Sequence, residues 1–393
     1  MFEWLVVLKV IGVLTATLWC LCWCRAWWHS RQYIDIPINL SPEEGNLGAL
    51  PPLSVLIPAC NEAASIESTA LGLLEQTYSD LQLILINDRS TDETGAIIDR
   101  LAAENEKITA IHIDVLPDGW LGKVHALHVA TEQATGEWLL YTDADVHFEP
   151  NALVELMQFA QAHEIDHLAG LPRMKPSGVL LEIAIAAFYT SSMFFVSAKR
   201  VANVDDPLAV GVGALNLVRA SALKQTKGFE WLKMETIDDV GLGLMMKRGG
   251  GRAMVARAGE QISLEWYQNI TEMAGGLEKN SPGLTKYSLL RAAGLLAILP
   301  VTVFGFVCTF CLPLISLAAV WAATILFPVL FMSTFSRQSS LSRMSFFLFP
   351  VGLAMLWFIF ARALLLLWSR GGVQWRGTQY GIEQLRSGQR LDL

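Results

Sequence analysis

Three long apolar runs bracket this chain, and they constrain its fold more than any other feature. Residues 4–24 form one, residues 292–332 a second and residues 345–368 a third. Crossing a bilayer takes about 20 apolar residues, so the first and third each suffice for one span and the second for two. Arg362 is the charged exception in the third run. The mean hydropathy of +0.40 is high for a soluble domain, and the excess sits in these runs. Residues 50–285 between them have the mixed composition of a globular domain large enough for its own core.

The first run lacks a basic start, and Arg25, Trp27, Trp28, His29 and Arg31 follow it in place of a small-residue cleavage site. Aromatics and arginines there read as an interfacial anchor on the cytoplasmic side, so the globular domain is expected in the cytoplasm. A net charge of −8 argues against a nucleic-acid binder. The six cysteines show neither zinc-ligand spacing nor a disulfide framework. Residues 31–52 form a polar linker containing Pro37, Pro42, Pro51 and Pro52.

Beyond the linker, strand-like and helix-like segments alternate. Strands are expected at 53–59, 81–87, 108–114, 138–142 and 166–173, with helices at 62–76, 92–104, 123–134 and 150–163. Ser90-Thr91-Asp92-Glu93 fits a capping box at the second helix. Such alternation means a mainly parallel sheet covered on both faces, with ligands beyond the carboxyl ends of its strands. Residues 179–198 are nearly apolar enough to span, but Glu182 and Tyr189-Thr190-Ser191-Ser192 favour a buried or membrane-contacting helix. In residues 264–279, Trp266, Tyr267, Ile270, Met273 and Leu277 make one apolar helical face, with Lys279 and Lys286 beyond it. A helix in the headgroup plane is expected there.

The chemistry gathers at strand ends. Asp143-Ala144-Asp145 leaves the apolar run at 138–142, and carboxylates two apart at a strand end suit Mg²⁺ or Mn²⁺ carrying a diphosphate. Asn61, after the first strand, looks like a helix cap whose following amides meet an anion or a base edge. Asp88, after the second strand, is either a turn residue or an acceptor for a base or ribose. Gly119-Trp120-Leu121-Gly122-Lys123 opens a helix without Walker spacing; its amides and Lys123 are candidates to face phosphates. Asp238-Asp239, after Glu235, either complements a helix dipole or supplies a general base. Gly211-Val212-Gly213 lies upstream, where glycines allow close backbone approach to a ligand.

In their order, residues 55–62, Asn87–Thr94, Gly122-Lys123, Thr142–Asp145 and Asp238-Asp239 resemble the family 2 glycosyltransferases of GT-A fold. The Gly119–Lys123 phrase, the flanking apolar runs and Glu278-Lys279-Asn280 resemble the hopene-associated or carotenoid-type members. The resemblance implies that Ala59, Glu62 and Asp88 contact the nucleoside, that Asp143 contacts ribose or metal, and that Asp145 ligates the metal on the diphosphate. It makes Asp239 the catalytic base, with Asp238 where the family usually has Glu, a change that leaves open which of the two is the base. His147 is either a further metal-side residue or a surface histidine. The family's processive synthases carry a Gln-x-x-Arg-Trp motif, which this sequence lacks, and that favours transfer of one sugar.

The expected layout is an anchor at 1–30, a linker at 31–52, a GT-A domain at 53–263, an interfacial helix at 264–287, two to three transmembrane helices within 288–369 and a tail at 370–393. The implied protein is a multi-pass inner-membrane enzyme with a cytoplasmic catalytic domain. It would take a nucleoside-diphosphate sugar and a lipid acceptor such as a hopanoid, carotenoid or other polyisoprenoid. The alternatives are transfer to a polyisoprenyl phosphate, for which Lys279, Lys286 and Arg291 offer a basic pocket, and a nucleotide-sugar-binding scaffold without turnover. One conflict stands. Three C-terminal crossings would carry Arg370, Arg376, Arg386 and Arg390 to the far side, against the preference of basic residues for the cytoplasm. Either one segment does not cross or the rule is overridden.

Overall fold

The computed structural model describes residues 2–37, 50–339 and 341–391; most of the expected linker, including Pro42, lies outside the described residues. In chain order, α1 (Phe2–Ser30) and β1 (Ile34–Asp35) precede an alternation of β2 (Leu53–Ala59), α2 (Ile66–Leu74), β3 (Leu81–Asp88), α3 (Thr94–Glu104), β4 (Ile108–Ile113), α4 (Gly122–Gln133) and β5 (Trp138–Tyr141). Then come β6 (Val146–Phe148), α5 (Ala152–Ala162), β7 (His167–Leu171), β8 (Arg173–Met174), α6 (Val179–Phe195), α7 (Ala198–Ala202), β9 (Asn216–Arg219), α8 (Ala220–Leu223) and α9 (Asp238–Arg248). After β10 (Ala253–Arg257) and β11 (Ile262–Leu264) the chain is helical through α10 (Ile270–Asn280), α11 (Leu289–Cys308), α12 (Leu314–Ser339), α13 (Arg343–Phe347) and α14 (Phe349–Arg370). It closes with β12 (Gly372–Trp375), β13 (Thr378–Gly381) and α15 (Ile382–Gly388).

These elements form two bodies. One holds Tyr33–Lys175, Ala198–Trp266 and Gly372–Leu393. Its eight-stranded sheet runs β1-β10-β7-β9-β5-β2-β3-β4, and only β9 is antiparallel to its neighbours. β2 and β3 are buried along almost their whole length, which is why they read as unbroken apolar runs: helices cover both faces. Each fully buried Leu or Ile there, such as Leu56, Ile57 or Leu83, contributes about 1.5–3 kcal/mol. Because β2, β3 and β5 are parallel, their carboxyl ends share one edge of the sheet. A smaller sheet, β6-β11-β8, lies beside it in sequence.

The other body holds Met1–Gln32, Pro176–Ser197 and Tyr267–Gly371. Among the described residues, four of its helices are long and apolar enough to cross a membrane: Glu3–Ser30, Leu289–Cys311, Leu314–Met332 and Phe349–Arg370. α1 and α11 approach closely where glycine permits it. A Cβ on Gly305 would collide with the Thr15 side chain, and one on Gly12 with the backbone at Cys308–Thr309. Aromatic rings of Trp19, Trp23, Phe194, Phe331 and Phe349 knit α1 to α6, α12 and α14.

Several expected boundaries move. The linker expected at 31–52 contributes β1, which pairs with β10, and Arg257 forks onto Asp35 at 2.5 and 3.0 Å. The helix expected from 62 begins at Ile66, and the one expected from 92 begins at Thr94. The interfacial helix expected over 264–287 is only Ile270–Asn280. Leu264 belongs to β11, and Trp266 and Tyr267 precede the helix, with the Tyr267 ring packed against Gly276. Asn269 caps that helix by accepting the Glu272 N–H at 3.0 Å. Residues 176–197, expected inside the GT-A domain, belong to the apolar body, whereas the tail expected at 370–393 belongs from Gly372 onward to the body with the sheet.

Candidate active site

Three strand ends and one helix start build the site. β2 ends at Ala59, which is buried and registers with Asn87 of β3. The chain then turns through Asn61 at φ 59°, a left-handed conformation that Asn tolerates. Asn61 does not cap a helix. Its Oδ1 accepts the Thr91 N–H at 2.8 Å and its own N–H donates to Ser90 Oγ at 3.0 Å, so it staples the β2 turn to the β3 turn. The expected capping box is likewise replaced. Asp92 accepts the N–H groups of Thr94 and Ala63, at 3.0 and 3.2 Å, while the Glu62 N–H goes to Thr94 Oγ1 at 2.8 Å. These cross-bonds hold Glu62 beside the β3 end.

Asp88 is buried, and Arg89, at φ 56°, folds back to grip it with Nε and Nη2 at 2.7 and 3.1 Å. Gly122 leaves room for them, since a Cβ there would crowd both Asp88 Oδ2 and Arg89 Nη2. The glycine-flanked loop turns inward: Trp120 is buried and stacks on His128, and the Leu121 N–H donates to the Lys233 carbonyl at 2.7 Å. Lys123 then points at carboxylates. Its Nζ lies 2.5 Å from Asp143 Oδ1 and 3.7 Å from Asp238 Oδ2. Burial works against the Lys123 charge, but Asp143 and Asp238 outweigh it and hold the ammonium protonated far above its usual range.

Asp145 follows Asp143 beyond β5. Burial, then the neighbouring charges of Asp143 and Glu62, push its carboxyl up to about 7. Among the described residues no three His, Cys, Asp or Glu side chains gather into a metal cage. Two crowded carboxylates at a strand end nevertheless fit a hard divalent ion. Mg²⁺ characteristically takes one or two protein carboxylates and completes its shell with phosphate oxygens and water. His147 is exposed on β6, where it faces Ser263 of β11.

Asp238 and Asp239 open α9, where two negative charges suit the helix dipole. Asp239 Oδ2 accepts the Gly213 N–H at 3.1 Å, and Oδ1 accepts the Val240 N–H at 2.8 Å. The 211–213 segment comes this close because a Cβ on Gly211 would overlap the Asp239 carbonyl. A small cavity opens among Lys123, Thr142, Gly213, Asn216 and Asp239. Glu235 stands apart from this chemistry. It is fully buried, and its Oε2 accepts the backbone N–H groups of Arg390 and Leu391 at 2.7 and 3.2 Å.

The tail is thereby part of the site, which the sequence reading missed. Arg376 Nη2 lies 2.7 Å from Glu62 Oε1, Arg89 Nη1 donates to Thr378 Oγ1 at 3.2 Å, and the Tyr380 side chain hydrogen-bonds the Gly122 backbone. Arg376 and Gly377, at φ 47° and 79°, form the two-residue turn of a β-hairpin. Leu391 is buried with Ala209 and Leu244. The available signal was the alternation of Val373, Trp375 and Tyr380 around a glycine turn immediately after the last apolar run. Ala59, Glu62, Asp88, Lys123, Asp143, Asp145, Asp238 and Asp239 all come to this one edge.

A mainly parallel α/β sheet with acidic strand ends at one edge defines a GT-A type domain. Residues 54–225, less than half of the chain, match the model of the glycosyl transferase family 2. Over 123 residues it is 37% identical to glycosyltransferase AglD of Haloferax volcanii, covering 30% of this chain and 19% of that protein. Over 117 residues it is 32% identical to the probable glycosyltransferase YdaM of Bacillus subtilis, covering 29% and 28%. The match therefore spans less than a third of either relative. Among solved structures, the mannosyltransferase PcManGT of Pyrobaculum calidifontis, in complex with GDP-Man and Mn²⁺, shares the fold at a TM-score of 0.53 and 15% identity. The likeness covers 92% of this chain and 99% of that one.

Proposed function

We propose that the protein is a membrane-bound inverting glycosyltransferase that moves one sugar from a nucleoside-diphosphate sugar to the hydroxyl of a hopanoid, carotenoid or other polyisoprenoid lipid. The observation that carries the reading is the gathering of Asp143, Asp145 and Glu62 at one sheet edge, where burial first, and then the charges of Asp143 and Glu62, raise Asp145 to about 7; a bound cation would relieve both. Asp145, with Asp143, would hold Mg²⁺ or Mn²⁺, which supplies positive charge to the departing diphosphate. Ala59, Glu62 and Asp88 line the nucleoside side. Lys123 keeps Asp143 and the base helix in register.

Asp239 is the base. The acceptor oxygen attacks the anomeric carbon from the face opposite the diphosphate, the new C–O bond forms, and the bond to the diphosphate breaks with its electron pair. The acceptor proton passes to the Asp239 carboxylate. The four membrane-length helices support a lipid acceptor. They also support a multi-pass membrane protein; the inner membrane, with the catalytic domain in the cytoplasm, is the location that goes with this reading. A polyisoprenyl phosphate acceptor is the second reading. It is favoured by the cluster in which Arg362 and Arg370 share Glu278, at 2.9 and 2.8 Å, next to Lys279.

The test is incubation of the membrane-embedded enzyme with radiolabelled nucleotide sugars and total membrane lipid. Label appearing in a neutral lipid, and lost on chelation, is the expected result. Label in a polyisoprenyl-phosphate-linked product would select the second reading. Donor binding without any labelled product would mean a scaffold.

A further inference from the structure

The apolar body has four helices of membrane length, yet the contacts of one of them are all shallow. Depth can be read along α1 and α11, because they pair antiparallel, Gly12 against Cys308–Thr309 and Gly305 against Thr15, which puts Ser30 and Leu289 at one level. Thr15 of α1 meets Gly305 of α11, and each lies roughly 23 Å along its helix from that end. α12 returns from this depth. Trp321 packs on Phe306 and Phe310, and Phe331 packs on Trp23, about 10 Å from Ser30.

α14 behaves differently. At its start, Phe349 packs on Trp23 and Phe194, with ring centroids 5.1 and 6.0 Å apart. At its middle, Trp357 Nε1 donates to the Leu296 carbonyl at 2.8 Å, about 10 Å into α11. At its end, Arg370 Nη1 reaches Glu278 of α10, ahead of α11 altogether. A helix of 22 residues that crossed would change depth by roughly 33 Å, and these anchors do not. Its long neighbour α6 is shallow too at its end, where the Met193 carbonyl meets His29 Nδ1 at 2.8 Å and Phe194 packs on Trp23. α14 is fused to α6 along its length: a Cβ on Gly352 would meet the Ile183 carbonyl and Ala187.

We infer that α14 does not cross the membrane but lies in its plane beside α6 and α10, with the headgroup–acyl boundary as its partner. Val351, Phe358 and Leu365 recur at heptad spacing and are 47%, 67% and 70% exposed, giving one apolar face for acyl chains. Ile359, Ala363 and Leu364 are buried on the protein side. Arg362, costly at the centre of a bilayer, is answered by Glu278 at headgroup level. With three crossings and one in-plane helix, residues 372–393 emerge on the same side as Arg25 and Arg31, in keeping with the positive-inside preference.

The test uses the full-length protein in sealed vesicles, with native cysteines replaced. Single variants Glu106→Cys, Arg343→Cys and Ser387→Cys are labelled with a membrane-impermeant maleimide. All three should react from the same face. Arg343→Cys and Ser387→Cys reacting from opposite faces would overturn the inference. A second readout places a fluorophore at Phe358→Cys, an exposed position. A nitroxide lipid quencher near the headgroup should quench it at least twofold more than one at the chain terminus, and the reverse order would mean that α14 spans.

Discussion

Arg376 Nη2 sits 2.7 Å from Glu62 Oε1, although 314 residues separate them. The pair brings a guanidinium from the C-terminal hairpin to the acidic strand ends. Both side chains are about a third exposed, so the pair is worth at most about 1 kcal/mol of stability. Its charge matters more to a dianionic leaving group. Arg376→Ala should leave the melting temperature nearly unchanged and lower kcat/KM for the donor by roughly 10²-fold, with partial recovery in Arg376→Lys. Steady-state kinetics with varied donor checks this, and unchanged kcat/KM would reduce the hairpin to a structural element.

Asp145 predicts a pH dependence. Its carboxyl is raised to about 7 from an ordinary value near 4. Between those values the metal-free fold holds a proton that the unfolded chain has released. That stabilisation is complete below about pH 4 and lost as the pH rises through about 7. A divalent ion must displace the same proton. Mn²⁺ affinity should therefore climb up to about tenfold per pH unit below 7 and level off above it. Electron paramagnetic resonance titration of Mn²⁺ measures it. Asp145→Ala should abolish both binding and turnover while the protein still folds; full activity of the wild type in a chelator would remove the metal from the mechanism.

Asp239 and Asp238 make different contacts, which separates their variants. Both line the small cavity, but Asp239 is aimed by the Gly213 N–H, whereas Asp238 Oδ2 lies 3.7 Å from Lys123 Nζ. Asp239→Asn should lose transfer by at least about 10³-fold yet bind donor normally. Donor affinity by calorimetry, beside turnover, decides it. A dead Asp238→Asn with an active Asp239→Asn would reverse the assignment.

Gly211 carries the base by proximity alone. A methyl there overlaps the Asp239 carbonyl, a backbone atom that cannot swing aside. Gly211→Ala should cost about 1–3 kcal/mol and displace the base. Gly72, in α2, has open space around its missing Cβ, so Gly72→Ala should be neutral or stabilise by up to about 1 kcal/mol. Thermal unfolding of the two variants in one detergent is the comparison. Equal effects would mean that the 211–213 approach is not tight.

The alternating strands and helices were legible in the sequence because burial on both faces writes β2, β3 and β5 as continuous apolar runs. Helix starts were less so. Asn61 and Asp92 spend their side chains on neighbouring turns, and no local pattern distinguishes that from capping. The acidic strand ends were legible for the same reason as the strands: a parallel sheet has one carboxyl edge, so residues that end successive strands must meet there.

What the sequence determined by itself is thus the sheet, its acidic edge and the membrane-length helices, all properties of local periodicity and length. Three relationships came only with the tertiary structure. Lys123 turns from the glycine loop to Asp143 and Asp238, because the carboxylates outweigh its burial. Glu235 is fixed by the amides of Arg390 and Leu391. The C-terminal hairpin meets Glu62 and Arg89 across hundreds of residues. Each depends on partners distant in sequence, and such pairings leave no periodic trace in the segments that make them.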